Sequence, residues 1–269
     1  IIKKDRKEAD KMNFKYPLPN VIKDFIENAE LKEISIGCSD SQIIRVEKKE
    51  KIYFLKIMGA NFLAKEYERL KWLQGKLPVP KVEMFIQEFN NDYLITEEIT
   101  GKMLCDDYYI NNPDTALLVL KKAFDKIAHV NINDCPFDVS NDYKLSLVTQ
   151  NVKNGLIKND SLKEETLKKF GSVENVLNYL NENKFKEELV FSHGDTSLPN
   201  IFGKEDSFKG FIDVGECGIA DKWFDLAICE KSILRNYGID YVNKFYNVLG
   251  IERDSFKVDY YLLMMELYL

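Results

Sequence analysis

VFSHGDTSLPNIFGKEDSFKGFID, Val190 to Asp213, holds a dense set of reactive side chains between two apolar runs. Leu189-Val190-Phe191 reads as the end of a buried strand. The polar loop Ser192 to Pro199 follows and carries His193 and Asp195. Ile201-Phe202-Gly203 and Gly210-Phe211-Ile212 flank the polar residues Glu205-Asp206-Ser207, the pattern of a β-hairpin. A turn centred between Asp206 and Ser207 sets Asn200 opposite Asp213, and opposed Cα atoms in such a ladder lie about 4.5–5.5 Å apart. An amide oxygen and a carboxylate would then converge just beyond Asp195. Few hard oxygen ligands, with room left for phosphate oxygens, are what a magnesium–nucleotide site requires. The spacing H-G-D-x-x-x-x-N followed by a strand-end Asp fits phosphoryl transfer. Asp195 would be the base or orienting acid, and Asn200 and Asp213 the metal ligands. His193, just before Gly-Asp, reads as a hydrogen-bonded support of the loop.

FSHGDTSLPNIF and GFIDVGECGIADKWFDLA resemble the aminoglycoside phosphotransferases, most of all the 3′-O-phosphotransferase (kanamycin kinase) branch. The resemblance runs from about Ile34 to Leu269 and is weaker between about Asn141 and Lys184. It implies an α+β, two-lobed protein-kinase-like fold. A small N-terminal antiparallel β-sheet lobe plus one helix (residues 1–97) would bind the nucleotide. A hinge (98–101) would lead to a larger, mainly helical catalytic and substrate-binding lobe (102–269), with a helical insertion at about 141–184. The implied activity is transfer of the γ-phosphate of ATP to an aminoglycoside hydroxyl, the 3′ one by branch, conferring resistance. Mg²⁺ would be the cofactor, and GTP an alternative donor.

Composition sets outer bounds. The chain has 269 residues, 45% of them hydrophobic and 30% charged, which suits one large or two intimate globular domains. No run approaches the ~20 apolar residues of a membrane span. IIKKDRKEADK has no apolar signal-peptide core, and residues 1–12 read as a polar arm outside the fold. Five scattered cysteines without a C-x-x-C pair, and only two histidines, argue against zinc and for free thiols in a reducing cytoplasm. A net charge of −6 disfavours nucleic acid and suits a cationic small molecule. The expected partners are the nucleotide and a cationic small molecule, with no nucleic acid or membrane, and the expected state is a monomer or weak dimer.

Upstream, Val21 to Ala29 is amphipathic and reads as an opening helix. Ile34-Ser35-Ile36 and Ile43 to Val46 read as strands joined by Gly37 to Ser41, a small polar loop whose N–H groups could meet phosphates. The resemblance assigns that role to Ser39. Ile52 to Ile57 is a third strand. Alternation puts Ile52, Phe54 and Lys56 on one face, where a lysine is awkward unless an anion meets it. The phosphoryl-transfer template supplies that anion: nucleotide phosphate, with a helix glutamate as partner. The resemblance lays Phe54 against adenine. Leu63 to Gln74 has helical period and ends at Gly75. Glu66 aligns with the family's lysine partner, but Glu68 competes and periodicity does not separate them. Val82 to Phe89 and Tyr93 to Glu97 read as two more strands, with Asn90-Asn91-Asp92 as their turn. In the resembling family the next segment passes adenine, which assigns hydrogen bonds to the Glu97 carbonyl and the Ile99 N–H.

Downstream, Ala116 to Val130 reads as a helix. Asn141 to Lys184 is polar, with surface helices at about Leu162 to Leu167 and Val173 to Leu180. The resemblance makes Glu164 and Glu165 candidate acceptor contacts. Asp221 is placed to cap a helix that contains Asp225, and the resemblance gives Asp225 the task of bracing the catalytic loop. Lys231 lies one turn before Arg235 and is a further candidate on the acceptor side. The apolar end YYLLMMELYL holds one acid, Glu266, which the resemblance puts near substrate ammonium groups. The family pattern has two consecutive acids there, whereas this chain has Met265 before Glu266. Glu216 stands where the family often has a basic residue. Both departures bear on acceptor choice. Choline-, fructosamine-, homoserine- and macrolide-kinase types share the H-G-D…N…D plan and are the alternative acceptors. A non-catalytic nucleotide-binding pseudokinase is the alternative from another class.

Overall fold

The structure, a computed structural model, describes residues 12–34 and 41–268. The expected polar arm (up to residue 11) and Ser35 to Asp40, with Ile36 and Ser39, lie outside the described residues. The chain divides into two compact units. One comprises residues 1–100 with 210–215, and the other 101–209 with 216–269.

In the first unit, α1 (Asn20–Ile26), β1 (Glu30–Ile34), β2 (Gln42–Lys48), β3 (Lys51–Gly59), α2 (Ala64–Leu73), β4 (Val82–Glu88) and β5 (Asn91–Glu97) follow in order. The strands form one antiparallel sheet, β1-β2-β3-β5-β4. Period-2 alternation along β3 turns Tyr53, Leu55 and Ile57 inward. They pack with Ile44, Val46, Tyr93 and Ile95 against Leu18, Ile22, Ile26 and Ala29. The other face of β3 carries Ile52, Phe54 and Lys56, all half-buried.

Two hairpin turns differ from what the sequence suggests, because the residues that twist the chain are not the usual ones. The β4–β5 turn is Phe89-Asn90, both at positive φ (53° and 59°), so Asn91 and Asp92 belong to β5. Two successive positive-φ residues match the twist of the flanking strands. Asp92 is fully buried. Its Oδ2 accepts the Leu63 N–H (2.9 Å) and its Oδ1 the Gln87 amide (2.9 Å), which seats the N-terminus of α2. The short loop before α2 is closed by this carboxylate and by the Ala60 N–H on the Asn90 carbonyl (3.1 Å).

The second unit begins with β6 (Lys102–Met103), α3 (Asp107–Ile110), α4 (Pro113–Ala128), α5 (Asn141–Lys153), α6 (Glu164–Phe170) and α7 (Val173–Glu182). It continues with β7 (Leu189–Ser192), β8 (Ile201–Lys204), β9 (Ser207–Phe211, whose last two residues are assigned to the first unit), β10 (Gly218–Asp221), α8 (Lys222–Tyr237), α9 (Ile239–Leu249) and α10 (Ser255–Met265). β7 pairs antiparallel with β10, and β6 with β8 in a sheet ordered β6-β8-β9. α5 opens the expected helical insertion, although the sequence singled out surface helices only further on, at about Leu162 to Leu167 and Val173 to Leu180. Its inner stripe is Asn141, Lys144, Leu145 and Val148, half of it polar. The hairpin turn falls at Glu205-Asp206, with Glu205 at φ 53°, one residue earlier than the pattern suggests. Neither Asn200 nor Asp213 therefore sits in the ladder as expected. Asn200 closes a single 3-10 turn (Leu198–Asn200), and Asp213 lies past the end of β9 at φ 58°. Among the described residues no helix is long and apolar enough to cross a membrane.

Candidate active site

In the first unit the lysine of β3 has found its anions. Lys56 Nζ is 2.8 Å from Glu66 Oε2, in the first turn of α2, and 3.3 Å from Asp213 Oδ1. Glu68, the competing glutamate, is exposed. Burial works against the Lys56 ammonium, but the Glu66 and Asp213 carboxylates outweigh it and hold its pKa above the usual lysine value. Burial likewise pushes the Glu66 carboxyl up, with the Lys56 ammonium opposing. The Asp213 side chain stays half exposed (53%), so one of its oxygens remains available to solvent or a ligand. At the end of β5, Glu97 pairs weakly with Lys51 (3.4 Å) and Lys81 (3.6 Å). The Glu98 N–H is taken by the Ile52 carbonyl (3.0 Å), whereas the Ile99 N–H meets no acceptor among the described residues.

In the second unit the loop after β7 is built on Asp225 of α8. Asp225 Oδ2 accepts the His193 N–H (2.7 Å), Oδ1 accepts the Gly194 N–H (3.0 Å), and its carbonyl accepts the Thr196 hydroxyl (2.6 Å). Burial raises the Asp225 carboxyl pKa, while His193 and these N–H bonds oppose the shift. Asp221 caps α8 through the Trp223 N–H (2.8 Å) and fixes the start of β7 through the Glu188 N–H (2.6 Å). Gly194 sits at φ +87°, and a Cβ there would lie 2.3 Å from the Glu216 carbonyl oxygen, so no larger residue fits. His193 is fully buried, and its Nδ1 accepts the Asp195 N–H (3.2 Å). That bond makes His193 a support of the turn.

The result is one carboxylate aimed by its own loop. Asp195 Oδ1 accepts the Ser197 N–H (3.1 Å), and Oδ2 accepts the Asn200 amide (2.8 Å). Asn200 Nδ2 also reaches the Asp195 carbonyl (3.1 Å) and Ser197 Oγ (3.3 Å), so its nitrogen is committed to this loop and its Oδ1 is left as an acceptor. The Asn200 amide oxygen in the second unit and the half-exposed Asp213 carboxylate in the first are each hard oxygen donors of the kind magnesium takes. Among the described residues no group of three or more His, Cys, Asp or Glu gathers as an all-protein metal cage. By donor chemistry, each oxygen suits a hard cation that also takes phosphate oxygens.

The acceptor candidates are placed less uniformly. Glu164 is exposed and bridges Lys168 within α6 (2.6 Å), while Glu165 is exposed with no ion pair among the described residues. Lys231 is exposed on α8. Glu266 is largely buried at the end of α10 and already paired. Its Oε2 accepts the Lys163 N–H (3.1 Å), its Oε1 the Thr166 hydroxyl (3.1 Å), and Lys163 Nζ stands 3.2 Å from Oε1.

A family model described as "Phosphotransferase enzyme family" matches residues 30–254. The chain belongs to this family. Among its members, an aminoglycoside 3′-phosphotransferase of Enterococcus faecalis is 32% identical over 255 residues, covering 92% of this chain and 97% of that protein. Among solved structures, an aminoglycoside 3′-phosphotransferase of type VIII superposes with a TM-score of 0.78 at 24% identity, covering 89% of this chain and 94% of that one. An aminoglycoside phosphotransferase from Streptomyces rimosus, in complex with ADP and streptomycin, gives 0.68 at 22% identity, covering 89% and 92%. These likenesses give the phosphotransferase chain a kinase-like fold, with an N-terminal antiparallel sheet and a helical C-terminal part.

Sequence reasoning passed over Lys144, whose only local signal is its place in the half-polar stripe of α5. It is buried, donates to the Val139 carbonyl, and lies 4.1 Å from the centre of the Phe224 ring. Burial brings its pKa down to about 8, against the pull of Asp225, Glu187, Glu216 and Asp138. The unfolded chain keeps this proton up to the ordinary 10.5. Between the two values the unfolded state binds more protons, so stability from this lysine rises with pH across that window. Lys144→Met is expected to flatten that rise. Below the window it should recover up to about 3 kcal/mol, the cost of keeping the buried ammonium charged. Urea unfolding at about pH 7 and about pH 9.5 checks this, and an unchanged pH slope in the variant would count against it.

Proposed function

We propose that the protein is a cytoplasmic kinase that transfers the γ-phosphate of ATP, with magnesium, to the 3′-hydroxyl of an aminoglycoside, and so confers resistance. The acceptor class comes from relatives that align along almost the whole chain. The observation that carries the chemistry is the buried Lys56 ammonium between Glu66 and Asp213, because a cation kept charged in that setting is built to receive phosphate. Among the described residues Cys105, Cys135, Cys217 and Cys229 form no disulfide, which suits a reducing compartment.

In this reading the unit with the five-stranded sheet is the nucleotide lobe. Lys56 holds phosphate oxygens and Glu66 keeps the lysine extended toward them. Phe54 lies along adenine, and the Glu97 carbonyl and the unpaired Ile99 N–H recognise its edge. Ser39 contributes a loop contact to phosphate. Asp195 orients the acceptor hydroxyl and takes its proton. Asn200 has two tasks: it fixes Asp195 through Nδ2, and with Asp213 it would hold magnesium through Oδ1. Bound there, the ion would neutralise charge on the phosphates. Glu164, Glu165, Glu266 and Lys231 border the acceptor. Catalysis of this kind is mainly positioning and charge neutralisation, since the transition state is loose.

The test is steady-state phosphorylation of kanamycin beside an analogue lacking the 3′-hydroxyl, with ATP and GTP compared as donors. Turnover of kanamycin alone is expected. Equal turnover of both compounds would overturn the 3′ assignment, and no transfer to any aminoglycoside would overturn the substrate class.

A further inference from the structure

A carboxylate can attract a substrate ammonium only if no cation of the chain already neutralises it. Glu266 is so neutralised. Its side chain is about 10% exposed, and the three contacts from Lys163 and Thr166 engage both of its oxygens. Two of these groups are fixed, since the Lys163 N–H opens α6 and Thr166 is buried in that helix. The third is not: the Lys163 side chain is 53% exposed and reaches Glu266 from solvent. Met265 adds no second acid beside it.

Tyr268, two residues past Glu266, has its phenol pKa raised first by burial and then by the Glu216 carboxylate. The Glu216 backbone in turn presses against Gly194, next to Asp195.

We propose that Lys163 is a specificity-determining residue. Its ammonium occupies the outer side of Glu266, so the corner of the acceptor site at the chain end receives a hydroxyl-bearing ring in preference to an ammonium-bearing one. This rests on the aminoglycoside reading above. A substrate ammonium arriving there must displace Lys163 or face a pair with no net charge, and either removes most of the gain from a charge-assisted contact. Without Lys163, Glu266 keeps its two anchoring donors and becomes a free counter-charge.

The experiment uses two acceptor pairs whose members differ by one amino-to-hydroxyl exchange, neomycin with paromomycin and kanamycin B with kanamycin A. Wild type, Lys163→Met and Lys163→Arg are compared. In Lys163→Met, KM for the amino member of at least one pair is expected to fall about tenfold with kcat unchanged, while its hydroxyl member stays put. Lys163→Arg should behave as wild type. A gain in affinity is not something a misfolded variant can imitate. If both members of each pair move together, or neither moves, Lys163 has no such role although the enzyme is still an aminoglycoside kinase. If wild type transfers phosphate to none of the four, the substrate class itself fails, and the inference with it.

Discussion

Asp195→Ala is expected to lower kcat for phosphoryl transfer by about 10²–10⁴, leaving ATP affinity within a few-fold of wild type. The size follows from what the carboxylate does. It is the acid on the loop that Asp225 braces, and both its oxygens are aimed by bonds from Ser197 and Asn200. Removing it takes away the proposed proton acceptor but leaves His193, Gly194 and Thr196 anchored, because their partners lie on Asp225. The fold should therefore survive, with near-wild-type circular dichroism and thermal midpoint. Asp195→Asn is not a gentler choice, since its amide could turn a donor toward the Asn200 amide that Oδ2 now accepts. Rapid-quench measurement of transfer beside equilibrium nucleotide binding separates the two effects. A loss of less than tenfold would mean that another group takes the proton.

How much of this could be read from the chain depends on how local each cause is. The alternation Ile52, Phe54, Lys56 identified a lysine that needs an anion, since strand period is a two-residue property. Glu66 over Glu68 was a matter of helix phase and loop length, settled by Asp92 seating α2 from a neighbouring strand. The turns were misplaced because Phe89 and Glu205 take positive φ without the glycine or asparagine that usually signals it. That shift removed the expected cross-strand opposition of Asn200 and Asp213. Within the expected helical insertion, α5 has no clear apolar period of its own because Asn141 and Lys144 fill half of its buried stripe. The partners of Glu266 lie about a hundred residues away in sequence, and no local pattern announces such a pairing.

Lys56→Met should show a double deficit that acid pH partly repairs. At neutral pH it leaves Glu66 buried without its cation, and breaking a buried pair in this way costs about 3–5 kcal/mol. The loss of a preorganised charge in the phosphate-holding role proposed for Lys56 should lower transfer a further hundred- to thousandfold or so beyond any effect of unfolding. The sign of the pH effect follows from the two shifts. The raised lysine value means that the stabilisation by Lys56 is fully present below its unfolded 10.5 and fades only above it. The Glu66 carboxyl, already pushed up by burial, rises further once Lys56 is gone. A carboxyl whose folded pKa exceeds its unfolded one binds more protons in the folded state, so stability grows as pH falls through that window. The gap between wild type and Lys56→Met in urea unfolding should therefore narrow on acidification. Adding Glu66→Gln to the variant should restore most of the stability at neutral pH and none of the transfer, because the neutral amide needs no counter-charge but holds no phosphate. A gap that widens toward acid, or a double variant no more stable than Lys56→Met, would show that Glu66 is not the group left stranded.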